Sequence, residues 1–181
     1  MLLTAPTKPV TINGGMKMPS WYDIKELGIS EFSEEGVKKA LGLDEIAENS
    51  KRIKEVLNKE LEELGGKSER LFIGGFSQGC CMALHCGLEY DKPLGGIICC
   101  SGYLFPVAKE SKENSAVPIF ISHGEADELL PWKICSLSYA KLENSGHKIT
   151  KVIEKYLGHS INEKVLSEMK TFFAKLLQAK P

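Results

Sequence analysis

Apolar residues recur mostly at threes and fours along residues 44–64, where Ile46, Ile53, Val56, Leu57, Leu61 and Leu64 mark one stripe of a helix. Gly65-Gly66 follows, the residue type that ends helices. Beyond it the pattern changes to short unbroken apolar runs at 70–75, 95–100 and 117–122. Runs of that length predict strands buried on both faces. Helical spacing returns at 78–88, 132–145 and 161–178, with one more strand near 148–156. Strands alternating with helices predict an α/β fold, an open and mostly parallel sheet covered by helices on both faces. The first 30 residues are rich in Pro and Gly and predict a long loop, entered from the end of a strand at 1–4.

Composition narrows the picture. A chain of 181 residues predicts one domain, 1–181. At 43% hydrophobic and 26% charged, it has the material for a core and a solvated coat, which excludes disordered and fibrous classes. Lys+Arg is 23 against Asp+Glu 24, for a net charge of -1, so the electrostatic footprint of a nucleic-acid binder is missing. No apolar run reaches the length of a transmembrane segment, and the first residues lack the pattern of a signal peptide. Four of the six cysteines fall in adjacent pairs, Cys80-Cys81 and Cys99-Cys100, inside apolar segments. That spacing predicts buried thiols in a reducing compartment, hence a cytoplasmic protein. Neither C-x-x-C nor H-E-x-x-H occurs, and no metal is expected.

In an open parallel sheet, chemistry sits at the carboxyl ends of the strands. Gly75-Phe76-Ser77-Gln78-Gly79, between a predicted strand and a predicted helix, matches the G-x-S-x-G nucleophile elbow. Such a turn lifts the serine hydroxyl clear of the sheet. It also aims the next peptide N–H, that of Gln78, at a developing oxyanion, where the positive end of the helix assists. A serine nucleophile needs a histidine base and a carboxylate to hold it, and after an elbow the order is serine, acid, histidine. Of the four histidines, His85 lies down the helix after Ser77, His123 precedes the acid loop, and His147 starts a strand. His159 alone follows a strand and precedes a helix. Among the aspartates, Asp23 and Asp44 come too early and Asp91 trails a helix, which leaves Asp127. Position thus selects Ser77, Asp127 and His159.

These residues resemble a known family. Gly74-Gly75-Phe76-Ser77-Gln78-Gly79, His123-Gly124-Glu125-Ala126-Asp127 with Leu130-Pro131, and Gly158-His159-Ser160 are similar to the acyl-protein thioesterase and lysophospholipase-like carboxylesterases. So are Thr4-Ala5-Pro6 and the stretch from Met18 through Ile24. The resemblance implies the α/β-hydrolase fold and cleavage of acyl esters and thioesters with no metal or cofactor. Acylated proteins, lysophospholipids and small esters are the implied substrates. It also implies that Trp21, Tyr103 and Leu129 lie near the acyl site. The family carries a first strand, a His-Gly oxyanion loop and a first helix that have no counterpart ahead of Thr4. On that reading on the order of 40 residues are lacking, and His123-Gly124, in the acid loop, does not replace them. The Gln78 N–H is then left as the oxyanion donor, and an open sheet edge is left for a protein partner to cover. A rival expectation follows, that the chain is a non-catalytic, hydrolase-derived subunit docked into a larger assembly.

Overall fold

A computed structural model of the chain describes residues 1–26 and 33–178. Its centre is a four-stranded parallel sheet in the order β3-β4-β5-β6, formed by β3 (Phe72–Phe76), β4 (Gly96–Cys100), β5 (Ile119–Gly124) and β6 (Ile149–Glu154). Ahead of it come a hairpin of β1 (Thr7–Val10) and β2 (Met16–Pro19), then α1 (Glu34–Ala40) and α2 (Leu43–Glu63). Helices α3 (Gln78–Glu89), α4 (Trp132–Asn144) and α5 (Glu163–Gln178) alternate with the sheet strands.

The period of two along each strand sends its side chains to opposite faces. Ile97 and Cys99 of β4, with Ile119 and Ile121 of β5, pack with α2, α3 and α4. Ile98, Cys100 and Phe120 pack instead with Val165 and Phe172 of α5. Both faces are covered, which is why these strands read as unbroken apolar runs. Helix α3 is buried from Cys80 through Leu88 and rides directly on the sheet. A side chain at Gly87 would meet Ile73 and Ile97. Helix α2 shows only one apolar stripe, and Ile46, Ile53, Leu57 and Leu61 are its buried side. It stops where Gly65 and Gly66 take φ of 62° and 79° and their N–H groups return to Glu62 and Leu61 carbonyls.

Three expectations are corrected. The first segment is not one long loop, and 1–4 is not a strand. Instead β1 and β2 pair antiparallel, Thr7 opposite Pro19 and Val10 opposite Met16. These strands contain proline, and only Val10 of their residues is buried, so neither leaves a period-two signature. Residues 27–30 of the expected loop lie outside the described residues. Helix α1 was not anticipated, although its signals are present. Ser33 Oγ accepts from the Gly36 N–H, acids open the first turn, and lysines close the last. Finally, Cys80 and Cys99 are joined in a disulfide, while Cys81, Cys86, Cys100 and Cys135 are free and buried. The first turn of α3 lies over β4, and parallel pairing brings Gly75 opposite Cys99. Linear spacing carried no trace of that proximity.

Among the described residues β3 pairs only with β4, so its other edge is open. A cleft of about 680 Å³ runs along that edge, walled by Val56 and Leu57 of α2 and by Ile73 and Phe76 of β3. Among the described residues no helix is long and apolar enough to cross a membrane.

Candidate active site

Ser77 stands between β3 and α3 with φ 56° and ψ −123°, a conformation few non-glycine residues adopt. The turn is tight because α3 starts immediately. Its peptide N–H still reaches the Cys100 carbonyl at 2.9 Å, so the last rung of the sheet is kept. Of the two flanking glycines only the first is demanded by space. A Cβ at Gly75 would run into the Gly79 backbone, whereas one at Gly79 would find only Trp21 Nε1 at 3.9 Å. Gly75→Ala is therefore expected to destabilise the fold by about 3 kcal/mol or more, an overpacking cost against immovable backbone. Gly79→Ala should cost markedly less. Urea denaturation of both variants checks the contrast.

The positionally selected residues converge. His159 Nε2 lies 2.9 Å from Ser77 Oγ, and His159 Nδ1 lies 2.7 Å from Asp127 Oδ2. The other carboxylate oxygen, Oδ1, accepts the peptide N–H groups of Leu129 and Leu130 at 3.0 and 2.8 Å. Asp127 is buried. Its loop and the histidine loop are stitched together, since Glu125 N–H donates to the Glu154 carbonyl and Ala126 N–H to the Leu157 carbonyl. Gly124 permits this contact, for a Cβ there would overlap the Leu157 carbonyl. The Phe76 ring packs against the His159 ring at 4.7 Å.

Gln78 opens α3, so its peptide N–H has no acceptor within the helix and faces the end where negative charge is favoured. A small apolar cavity of about 110 Å³ joins Ser77 and Gln78 to Tyr22, Cys81, Tyr103 and Leu129. Tyr103 and Leu129 therefore line one cavity. Trp21 is separated from them and lines the larger cleft on the β3 side, which also reaches Ser77. Burial pushes the Cys81 thiol up to about 11, so at neutral pH it is held as the weakly nucleophilic thiol beside the serine. Among the described residues no three His, Cys, Asp or Glu side chains gather as a metal-ligand set.

Sequence reasoning left His123 without a role. It lies in β5, buried, with Nε2 2.8 Å from the Leu130 carbonyl and Nδ1 3.2 Å from the Tyr139 hydroxyl. It braces the acid loop from below. Its place four residues before Asp127 was the available signal. Burial lowers the pKa of His123, against the opposing pull of the Leu130 carbonyl and Asp127, with the His159 ring adding a little to the lowering. His85 is likewise lowered by burial, with Glu89 opposing and Lys54 reinforcing. A base depressed in the folded state binds fewer protons folded than unfolded. Stability is then full above the ordinary histidine pKa of about 6.5 and is lost as pH falls below it. Urea midpoints should drop between pH 7.5 and 5.5, and His123→Gln should flatten that drop. This window lies above the titration of Glu89, whose lowered pKa acts at more acidic pH.

A parallel sheet covered on both faces, with a serine at a strand–helix elbow and an acid and a histidine on later strand-end loops, is the α/β-hydrolase fold. Known proteins bear this out. The family model described as Phospholipase/Carboxylesterase matches residues 1–177, and the chain belongs to that family. An acyl-protein thioesterase 1 of Yarrowia lipolytica is 39% identical over 138 residues, covering 74% of this chain and 57% of the relative. An acyl-protein thioesterase 1 homolog of Dictyostelium discoideum is 38% identical over 178 residues, covering 96% of this chain and 74% of the relative. The chain thus spans little more than half the length of the first of these relatives. The crystal structure of Arabidopsis thaliana SOBER1 superposes with a TM-score of 0.83 at 28% identity, over 98% of this chain and 83% of that one.

Proposed function

We propose that this chain is a serine hydrolase that cleaves acyl esters and thioesters through an acyl-enzyme, with Ser77 as nucleophile, His159 as base and Asp127 as its orienting acid. The single observation that carries the reading is the continuous hydrogen-bonded chain from Ser77 Oγ through His159 to Asp127. The carboxylate accepts the Nδ1–H and leaves the Nε2 lone pair facing the serine. As Ser77 Oγ attacks the acyl carbonyl, Nε2 takes its proton. The tetrahedral oxyanion forms against the Gln78 N–H. His159 then returns the proton to the departing thiol or alcohol, and the acyl group stays on Ser77. Water, deprotonated by the same nitrogen, attacks the acyl-enzyme and frees the carboxylic acid. Every step draws on the chain's own groups.

The apolar cavity beside Ser77 supports an acyl group as the bound part of the substrate, with Tyr103 and Leu129 against it. The names of the relatives support an acylated protein as the thioester, and the family description, Phospholipase/Carboxylesterase, supports lysophospholipids and small esters beside it. The free and buried thiols Cys81, Cys86, Cys100 and Cys135 support a cytoplasmic setting, and the Cys80–Cys99 disulfide counts against it. The rival reading, a non-catalytic subunit docked to a partner, is not favoured, because an idle site has no reason to keep a strained serine and a buried acid in register. The test is labelling with a fluorophosphonate, followed by intact mass. One adduct on the parent chain and none on Ser77→Ala is the expected result. A folded parent that takes no adduct overturns the reading.

A further inference from the structure

The Gln78 side chain turns away from the nucleophile and ends on a different part of the molecule. Its Oε1 accepts the Trp21 peptide N–H at 2.9 Å, and its Nε2 donates to the Tyr22 carbonyl at 2.9 Å. The Ser20 hydroxyl closes the group, donating to the same Tyr22 carbonyl at 2.7 Å and lying 3.1 Å from Gln78 Nε2. From the other side, Asn49 Nδ2 of α2 donates to the Trp21 carbonyl at 2.6 Å. The segment 20–22 leaves the β1–β2 hairpin and belongs to no strand. Two side-chain amides do for it what a neighbouring strand does elsewhere.

This segment also divides the space around Ser77. Trp21 lines the large cleft on the β3 side, while Tyr22 lines the small apolar cavity. We infer that the Gln78 side chain is a positioning and specificity-determining group, which locks the Trp21–Tyr22 wall to the residue whose own peptide N–H faces the oxyanion. The inference rests on the serine-hydrolase reading for its kinetic consequence. Its structural half, the hold on Trp21, stands apart from it. A longer acyl chain leans on that wall and an acetyl group does not, so the clamp discriminates by chain length.

Gln78→Met keeps the length of the side chain and the peptide N–H but removes both amide bonds. The test compares acetyl and octanoyl p-nitrophenyl esters as substrates and reads Trp21 emission in a Trp132→Phe background. The expected result is a kcat/KM loss on the octanoyl ester of about 10- to 100-fold, the cost of misplacing a positioning contact. It should appear chiefly as raised KM, with a several-fold smaller loss on the acetyl ester. Trp21 emission should move to the red and become more open to acrylamide. Ser20→Ala, which trims the clamp without altering Gln78, should move every readout the same way by less, and it keeps the test decisive where Gln78→Met does not fold. Unchanged Trp21 emission in a folded variant, or equal losses on both esters, overturns the inference. A parent chain that hydrolyses neither ester defeats the hydrolase reading instead, while the fluorescence still decides the clamp.

Discussion

Ser77→Ala is expected to lower kcat for a thioester by on the order of 10⁶, leaving only the residual rate that binding and the oxyanion donor provide. The loss is that large because nothing nearby takes the place of the hydroxyl. Cys81 shares the cavity with Ser77, but burial pushes its thiol up to about 11. His159 Nε2 has no other nucleophile in hydrogen-bond reach among the described contacts. KM should change little, since the apolar cavity is lined mostly by other side chains and the variant removes one oxygen atom. Stability should not fall, because alanine bears the same backbone strain at φ 56° and the lost hydroxyl caps no helix N–H. Steady-state kinetics with a thermal melt tests all three statements. A kcat within about 100-fold of the parent would assign the chemistry to another residue.

The fold was legible wherever burial imposed a period. The two-faced strands β4 and β5 and the one-striped helix α2 each carry an unambiguous signature, and the structure places them within two residues of the expected bounds. What lacked a period stayed hidden. The β1–β2 hairpin buries one of its strand residues, and α1 is seven residues long with two buried, Val37 and Ala40. The candidate site divides the same way. A local motif marks Ser77, and strand order picks out Asp127 and His159 at the same end of the sheet. The contacts behind them run between side chains distant along the chain. Gln78 meets Trp21 57 positions away, and His123 meets Tyr139 16 positions away. Those contacts leave no local pattern, so the structure alone reveals them. The resemblance places Trp21 beside the site with Tyr103 and Leu129, and the segment 20–22 sets Trp21 in the large cleft and Tyr22 in the small cavity, both of which reach Ser77.

The second large effect concerns a proton rather than a contact. Asp127→Asn is expected to lower kcat by about 10⁴ while leaving the melting temperature near that of the parent. The two carboxylate oxygens have different partners, which decides how an amide must sit. Oδ1 accepts two peptide N–H groups, from Leu129 and Leu130, so the asparagine oxygen has to occupy that place. The amide NH₂ is then turned toward His159 Nδ1, where the parent has an accepting oxygen at 2.7 Å. Two donors cannot face each other, so Nδ1 gives up its hydrogen and the imidazole proton moves to Nε2. That nitrogen now points a hydrogen at Ser77 Oγ from 2.9 Å and has no lone pair with which to take the serine proton. Asp127→Ala would fail for a different reason, by leaving the part-buried Leu129 and Leu130 N–H groups without their acceptor, and its melting temperature should fall as well. The pair of variants therefore separates the orienting role of the acid from its structural one. Activity of Asp127→Asn within about tenfold of the parent would show that Asp127 only builds the loop, and that His159 keeps its tautomer without it.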